Sequence, residues 1–458
     1  VAVPVASLAQ SLPFDPADPK AALAQLRQAP AVFALYGEEA HFEPYIGRTP
    51  NLRGRLERLL QPSAKHPRRL QLAGRVRRIE WRLTGSEFES LLLQFELLQE
   101  VYGTKCLERM HLGAPAFVRF LGGNPYPRIV VTHRPSQREA DWAYGPFPSR
   151  TAAERFADEA LKLFLLRRCT EDLDPNPSHP GCVYSEMKMC LAPCYKGCTD
   201  ERYGEEAAAV ENFLATRGDS RLLVLRTERD QASTNLEFES AAAIHTQVQR
   251  VEAVRSLAPE LVRPLSQLRA VILQASANPD EVAVFLFANG SLRGPAVFST
   301  IGMRIQNEQS GSSSLFAQPM VIEPIPEAPA IRDQRTEIRD QRSGIRLNRS
   351  GETEPISEEA LPAGIAASDA APAKLKRSLL EARMEAALAE LAEPTATPSA
   401  TLRQGHLALL KRWYYRPEVR RTGEIFFFGA EGHWPIKAML RGVGRVAGGR
   451  FKVPVSGS

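Results

Sequence analysis

The apolar positions near the start of the chain change period. Residues 31–35 and 42–47 are short apolar runs around a polar Gly37-Glu38-Glu39 turn, which predicts a strand pair. A basic helix is expected from about Asn51 to Leu60, and the alternation over 74–83 predicts another strand. Phe88, Leu91, Leu92, Phe95, Leu98 and Tyr102 then recur at the spacing of one buried helical face. The pattern gives a small ββαβα module.

Further on, 126–133 reads as a strand, about 152–166 and 203–215 as helices, and 220–256 as two amphipathic helices in a hairpin. Residues 270–300 alternate as a β-hairpin about Asn289-Gly290, a strong turn signal. After about 305 the chain turns polar and repetitive, with three heptads (IRDQRTE, IRDQRSG, IRLNRSG) over 331–351. Each heptad carries one apolar position where a coiled-coil seam needs two, so disorder is expected through about 400, apart from a helix at 374–392. From Leu402, Leu407, Leu410, Trp413 and Tyr414 form a helical face, followed by the strand-like Ile425–Phe428 and a basic tail. The tail's aromatic and basic residues, His406 and Tyr415 among them, could meet DNA, although a small basic core domain explains them as well.

Composition narrows the class. With 43% apolar and 24% charged residues the 458-residue chain is ordinary globular protein of several domains. The net charge of +5 is mild, but it is local: residues 48–82 hold ten Arg and one Lys against two Glu. Guanidinium forks in that density favour phosphate contact. No apolar run is long enough to cross a membrane and the first residues lack a signal-peptide pattern, so a cytoplasmic, reducing location with no membrane partner is expected. Five of the six cysteines crowd into 169–198, which in such a compartment points to metal.

The run Pro30-Ala31-Val32-Phe33 followed by Tyr45-Ile46-Gly47-Arg48-Thr49-Pro50-Asn51-Leu52-Arg53-Gly54-Arg55 resembles the GIY-YIG nuclease signature in its UvrC form. The resemblance implies metal-assisted phosphodiester hydrolysis of DNA with one Mg²⁺ or Mn²⁺. Tyr45, Arg48, Arg55 and Glu89 would be catalytic, Gly47, Asn51 and Arg53 would hold substrate, and Glu89 would bind the metal. Glu89 is assigned because Glu89-Ser90-Leu91-Leu92-Leu93-Gln94 is similar to the EALLLE run of that family. Ser86 and Glu89 also spell a helix capping box, and the two roles are compatible. The sequence departs from the family at Phe33 for tyrosine, Arg48 for lysine and Ala31 for glycine, and in a longer loop before Tyr45. Tyr36 could restore the hydroxyl only if that loop bends.

Arg167-Arg168-Cys169, Gly181-Cys182-Val183-Tyr184 and Met189-Cys190-Leu191-Ala192-Pro193-Cys194, with Tyr144-Gly145-Pro146-Phe147 upstream, resemble the cysteine segment of the UvrC family. That implies a 4Fe–4S cluster on Cys169, Cys182, Cys190 and Cys194; four thiolates also suit zinc, and Cys198 could replace Cys194. Residues 221–256 resemble the UVR motif, implying a UvrB-like partner docked on Leu236, Phe238, Ala242, Ile244 or His245, Val248 and Val251. An αα-hairpin packed on its own domain is the plainer account.

The fold class expected is α+β and multidomain: leader 1–25, a small α/β GIY-YIG domain 26–110, linker and Cys-rich segment 111–218, UVR hairpin 219–257, β-segment 262–304, disordered linker 305–400 and a C-terminal basic α+β module 401–458. The likeness covers about 26–300, and no second, RNase H-like nuclease is expected, a layout resembling truncated Cho-type members. The implied function is a UvrB-dependent excision-repair endonuclease making one incision, on the 3′ side in the Cho type, in damaged double-stranded DNA. The alternative is a nuclease-impaired adaptor binding the same partners.

Overall fold

The computed structural model describes residues 8–38, 43–61, 72–134, 142–303, 377–393, 398–429 and 431–449. The chain divides into two units, 1–301 with 375–458, and 302–374. The heptads at 331–351 lie outside the described residues.

The first sheet comprises strands β1 (Gln10–Pro13), β2 (Ala31–Gly37), β3 (Tyr45–Thr49) and β4 (Val76–Leu83), antiparallel in the order β1-β4-β2-β3. Ala31 to Tyr36 are all buried because both faces of β2 are covered, so the strand reads as a continuous apolar run rather than an alternating one. Ala31, Phe33 and Leu35 pack with Leu52, Leu56 and Leu59 of helix α2 (Leu52–Leu60) and with Leu23 of α1 (Pro19–Ala24). Val32, Ala34 and Tyr36 face Leu93 and Leu97 of α3 (Glu87–Tyr102). Residues 10–24, expected as part of a leader, instead supply β1 and α1. Their polar, Pro-rich stretches carry no period; pairing with β4 orders β1, and packing of Ala22 and Leu23 against α2 orders α1.

After the short α4 (Cys106–Arg109), the second sheet has the order β6-β5-β7-β8 from β5 (Ala116–Phe120), β6 (Ile129–Thr132), β7 (Ala143–Phe147) and β8 (Arg263–Pro264). Helices α5 (Arg150–Leu161) and α7 (Asp200–Ala215) share its core with the base of the hairpin α8 (Asp219–Thr234) and α9 (Phe238–Ser256). The four-residue α6 (Val183–Glu186) lies in the cysteine segment between them.

The third sheet, β11-β10-β9-β12, contains the expected hairpin: β10 (Glu281–Ala288) and β11 (Ser291–Ser299) turn at Asn289 (φ 52°) and Gly290 (φ 78°), both positive as a tight hairpin turn needs. The inner strand β9 (Ala270–Ala275) is flanked by β12 (Glu424–Phe427). Helices α10 (Arg377–Ala392), α11 (Ala400–Tyr414) and α12 (Ile436–Ala447) complete the described elements. The described residues 401–429 and 431–449 are therefore not a separate module. Glu424–Phe427 pair with β9, and Leu407, Leu410 and Trp413 of α11 share one core with Phe88, Leu92 and Phe95 of α3 and with Phe285 and Phe287 of β10. The tail aromatic expected to offer stacking, Trp413, is 3% exposed and donates its indole N–H to Thr422 O at 2.9 Å.

Candidate functional site

Alternation along β3 sets the geometry of the GIY-YIG face. Tyr45, Gly47 and Thr49 pair with Leu35, Phe33 and Ala31, so they lie on the α2 side; Ile46 and Arg48 pair with Ala34 and Val32 and lie on the α3 side. On the α2 side the expected pair forms. Arg55 extends Nη2 to the Tyr45 hydroxyl at 3.3 Å, both residues remaining part-exposed. A guanidinium and a phenol converging at a surface suit the oxygens of a phosphodiester.

The neighbouring motif residues have structural duties. A Cβ at Gly47 would stand 2.8 Å from Phe33 Cζ, so glycine is there to admit that ring. Asn51 is the N-cap of α2, its side chain accepting from Gly54 N at 2.9 Å, a contact typically worth about 1 kcal/mol. Arg53 donates from Nε to Leu26 O at 2.7 Å and from Nη2 to Ala24 O, tying α2 to the end of α1. Gly47, Asn51 and Arg53, expected to hold substrate, thus already have structural roles within the domain.

Arg48 and Glu89 do not join Tyr45 and Arg55. Arg48 reaches Glu87 at 3.3 Å, and Glu87 is also gripped by both terminal nitrogens of Arg416 at 2.7 Å each. Burial and the nearby Arg412 and Arg416 lower the Arg48 pKa, while Glu87 raises it; the Arg416 hydrogen bonds hold the Glu87 carboxyl below the usual range. Arg48 is thereby part of the clasp between α3 and the turn that follows α11. Glu89 is only 7% exposed, and its Oε2 accepts Gly85 N–H at 2.9 Å while its own N–H donates to Ser86 Oγ at 3.1 Å. Burial raises its pKa against the pull of that N–H and of Arg82, which pairs with Val32 on the α3 side of the sheet. The carboxylate is spent on the helix cap, across the sheet from Tyr45. Tyr36 stays on the α3 side beneath the Arg78 guanidinium, 4.5 Å from its ring, so it does not replace the missing hydroxyl. Among the described residues, no group of three or more His, Cys, Asp or Glu could hold a metal ion. Glu89, the one residue to which the resemblance gives the metal, has its Oε2 engaged by Gly85 N–H.

In the cysteine segment, the pKa of Cys190 is pushed up to about 11, first by burial and then by Cys169, Cys182 and Cys194, so the four thiols stand within electrostatic reach of one another. Cys194 responds to Cys182 and Cys169 in the same way, whereas the charged neighbours of Cys198 are Asp200 and Arg202. Donors approach the sulfurs: Ala192 N–H to Cys190 Sγ at 3.3 Å and Arg167 Nη1 to Cys169 Sγ at 3.6 Å. Arg167 is the residue whose structural role the sequence underplayed. It is 1% exposed, donates to Tyr126 O at 2.9 Å and Glu171 O at 2.7 Å, and its own N–H meets the Tyr203 hydroxyl at 3.2 Å. Its only signal was the R-x-C spacing.

The expected docking face of the hairpin is divided. Val248 and Val251 are 3% and 1% exposed within the core under the second sheet, with Ile244 packed against it. These residues do not face outward, because α5 and α7 cover the base of the hairpin. Leu236 (72% exposed) and Phe238 (66%) are at the projecting tip, with Ala242 and His245 also exposed.

Comparison with known proteins follows these boundaries. Residues 29–102 match the UvrC-like GIY-YIG domain and residues 117–213 match the UvrC/Cho excinuclease middle domain. Among curated relatives, "UvrABC system protein C" of Alcanivorax borkumensis is 29% identical over 52% of this chain and 39% of its own length, and that of Shigella dysenteriae serotype 1 is 31% identical over 52% and 41%. The chain thus spans about two fifths of the length of the curated relatives it matches. No solved structure matches.

Proposed function

Starting from the premise that the chain belongs to the UvrC family, we propose that it serves nucleotide excision repair as a UvrC-type subunit that grips damaged DNA through its GIY-YIG face and a UvrB-like protein through its hairpin tip, its own cutting step being impaired. The observation that carries this reading is the confinement of Glu89 to the helix cap, on the other side of the sheet from Tyr45 and Arg55. Arg55 then binds a backbone phosphate and Tyr45 orients it, while the Glu89 carboxylate is held by Gly85 N–H on the α3 side.

The second reading is an endonuclease making a single incision, favoured by the retained Arg55–Tyr45 contact within a GIY-YIG nuclease domain. One assay separates the two: nicking and binding of a lesion-bearing duplex with a UvrB-type protein and Mg²⁺ or Mn²⁺. Arg55→Ala is expected to weaken duplex binding roughly 10- to 100-fold, as one charge-assisted contact is lost. Glu89→Ala should lower stability by about 1 kcal/mol through the lost cap and leave binding and product unchanged. Metal-dependent nicking that disappears in a folded Glu89→Ala variant would sink the impaired reading.

The partner contact is tested apart from the DNA contact. Phe238→Asp at the tip should weaken association with the UvrB-type protein at least about 10-fold, as expected for an aromatic anchor, without lowering stability. Val251→Asp should unfold the base of the hairpin instead. Unchanged association with Phe238→Asp would remove the tip as the docking face.

The four thiols suit a thiolate-held group, a 4Fe–4S cluster on Cys169, Cys182, Cys190 and Cys194, with Arg167 and Ala192 N–H oriented to stabilise sulfur charge. Such a group would fasten a segment otherwise poor in secondary structure. A single zinc ion needs thiolates roughly 3.8 Å apart, from bonds of about 2.3 Å, and no three donors among the described residues could hold an ion. Chain purified without oxygen should contain iron and absorb visible light, and Cys190→Ser should lose both. Zinc without iron would overturn the cluster.

A further inference from the structure

A cleft of about 1040 Å³ lies where residues 215–219, 260–269 and the chain after β12 meet. It serves neither the Tyr45–Arg55 face nor the cysteine segment. Three arginines line it. Arg263 lies over the Phe427 ring at 4.2 Å, and Arg269 lies over Phe428 at 3.9 Å and within 5.5 Å of the Trp434 ring centre. Phe428 and Trp434 meet edge to face at 4.9 Å, so Arg269, Phe428 and Trp434 form one block of flat surfaces. Arg217 completes the set, held in a left-handed backbone conformation (φ 53°), with a buried Nε that has no hydrogen-bond partner.

The balance of charge is incomplete. Asp219, largely exposed, is taken by Arg255 at 2.9 Å, and Glu260, also exposed, approaches Arg263 only to 3.9 Å. Burial, and after it crowding by the neighbouring Arg217, push the Arg263 guanidinium down to about 10. An incoming anion would relieve that crowding and satisfy the orphaned Arg217 N–H.

We propose that this cleft binds a short stretch of single-stranded DNA, its phosphates on Arg217 and Arg263 and an unpaired base stacked on the Arg269–Phe428–Trp434 block. Guanidinium groups laid over aromatic rings serve unpaired bases, since bases in a duplex already stack on one another. This site is independent of the duplex-binding face and accepts the strand exposed when a damaged duplex is opened.

The test is binding of fluorescein-labelled dT15 to the full chain, followed by anisotropy against salt and by tryptophan emission. Arg269→Ala and Trp434→Ala should each weaken binding roughly 5- to 100-fold, the range for losing one stacked base. Arg217→Gln should reduce the slope of log K against log salt by about 0.7. Trp434→Phe should keep most of the affinity and lose the emission quench, which a merely misfolded variant would not do. Arg269→Ala and Trp434→Ala should leave binding of an intact duplex unchanged, so failure here and failure at the GIY-YIG face remain distinguishable. Unchanged dT15 affinity in folded Arg269→Ala and Trp434→Ala, or displacement of dT15 by thymidine monophosphate at equal concentration, would overturn the proposal.

Discussion

Replacing Gly85 with alanine will destabilise the first unit by at least about 3 kcal/mol, the upper end of the usual overpacking cost. The added Cβ would lie 2.1 Å from the carbonyl carbon of Ser276 and 2.3 Å from Ala275 O. Both are backbone atoms at the end of β9, which no rotamer change can move aside. Gly85 is thus the point where the GIY-YIG domain meets the third sheet, and its N–H also anchors the Glu89 carboxylate. Gly204, inside α7 with nothing within 4 Å of an added Cβ, is the control: Gly204→Ala should stabilise by up to about 1 kcal/mol. Chemical denaturation of both variants checks the pair. Equal effects of the same sign would mean that the close approach at Gly85 is not what matters.

Acid will remove about 3 kcal/mol of stability through His406 alone as pH falls from 6.5 to about 4. Burial lowers this imidazole to about 4 from an ordinary 6.5. Its Nδ1 accepts Leu292 N–H at 2.9 Å, so the ring proton sits on Nε2, which is buried without a partner. Between the two values the unfolded chain binds a proton that the native chain refuses, so the contribution is whole above pH 6.5 and fades below it. Glu96 works in the opposite sense: burial raises its carboxyl to about 7, so it favours the fold at low pH. The comparison is therefore made between wild type and His406→Asn, whose amide oxygen can take the Leu292 N–H without titrating. Denaturation midpoints at pH 7 and 4.5 should differ less in the variant. Identical pH dependence would show that His406 ionises freely.

Both predictions concern contacts between segments far apart in sequence, and the candidate site depends on the same kind of contact. The motif from Tyr45 to Arg55 could be read because its residues are close along the chain, and strand-to-helix geometry alone brings the Arg55 guanidinium to the Tyr45 hydroxyl. Arg48 could not be placed that way. Its partner Glu87, shared with Arg416, is distant in sequence, and only the packing of α11 against α3 makes it a clasp. No family resemblance weighs the competition that decided Glu89: a carboxylate near a helix start is drawn to unpaired backbone N–H groups, and burial then fixes it there.

Local sequence by itself determined the strands read at 31–35 and 74–83, the stripe of α3, the Asn289-Gly290 turn, the hairpin helices and the grouping of the cysteines, since an apolar run, a repeat of 3.6, a turn dipeptide or a cluster is written in neighbouring residues. Only the tertiary structure decided that residues 10–24 close the first sheet, that Val248 and Val251 face inward, and that Glu424–Phe427 and α11 complete the third domain. The physical reason is that burial belongs to a surface, and which surface covers an apolar face depends on segments tens or hundreds of residues away.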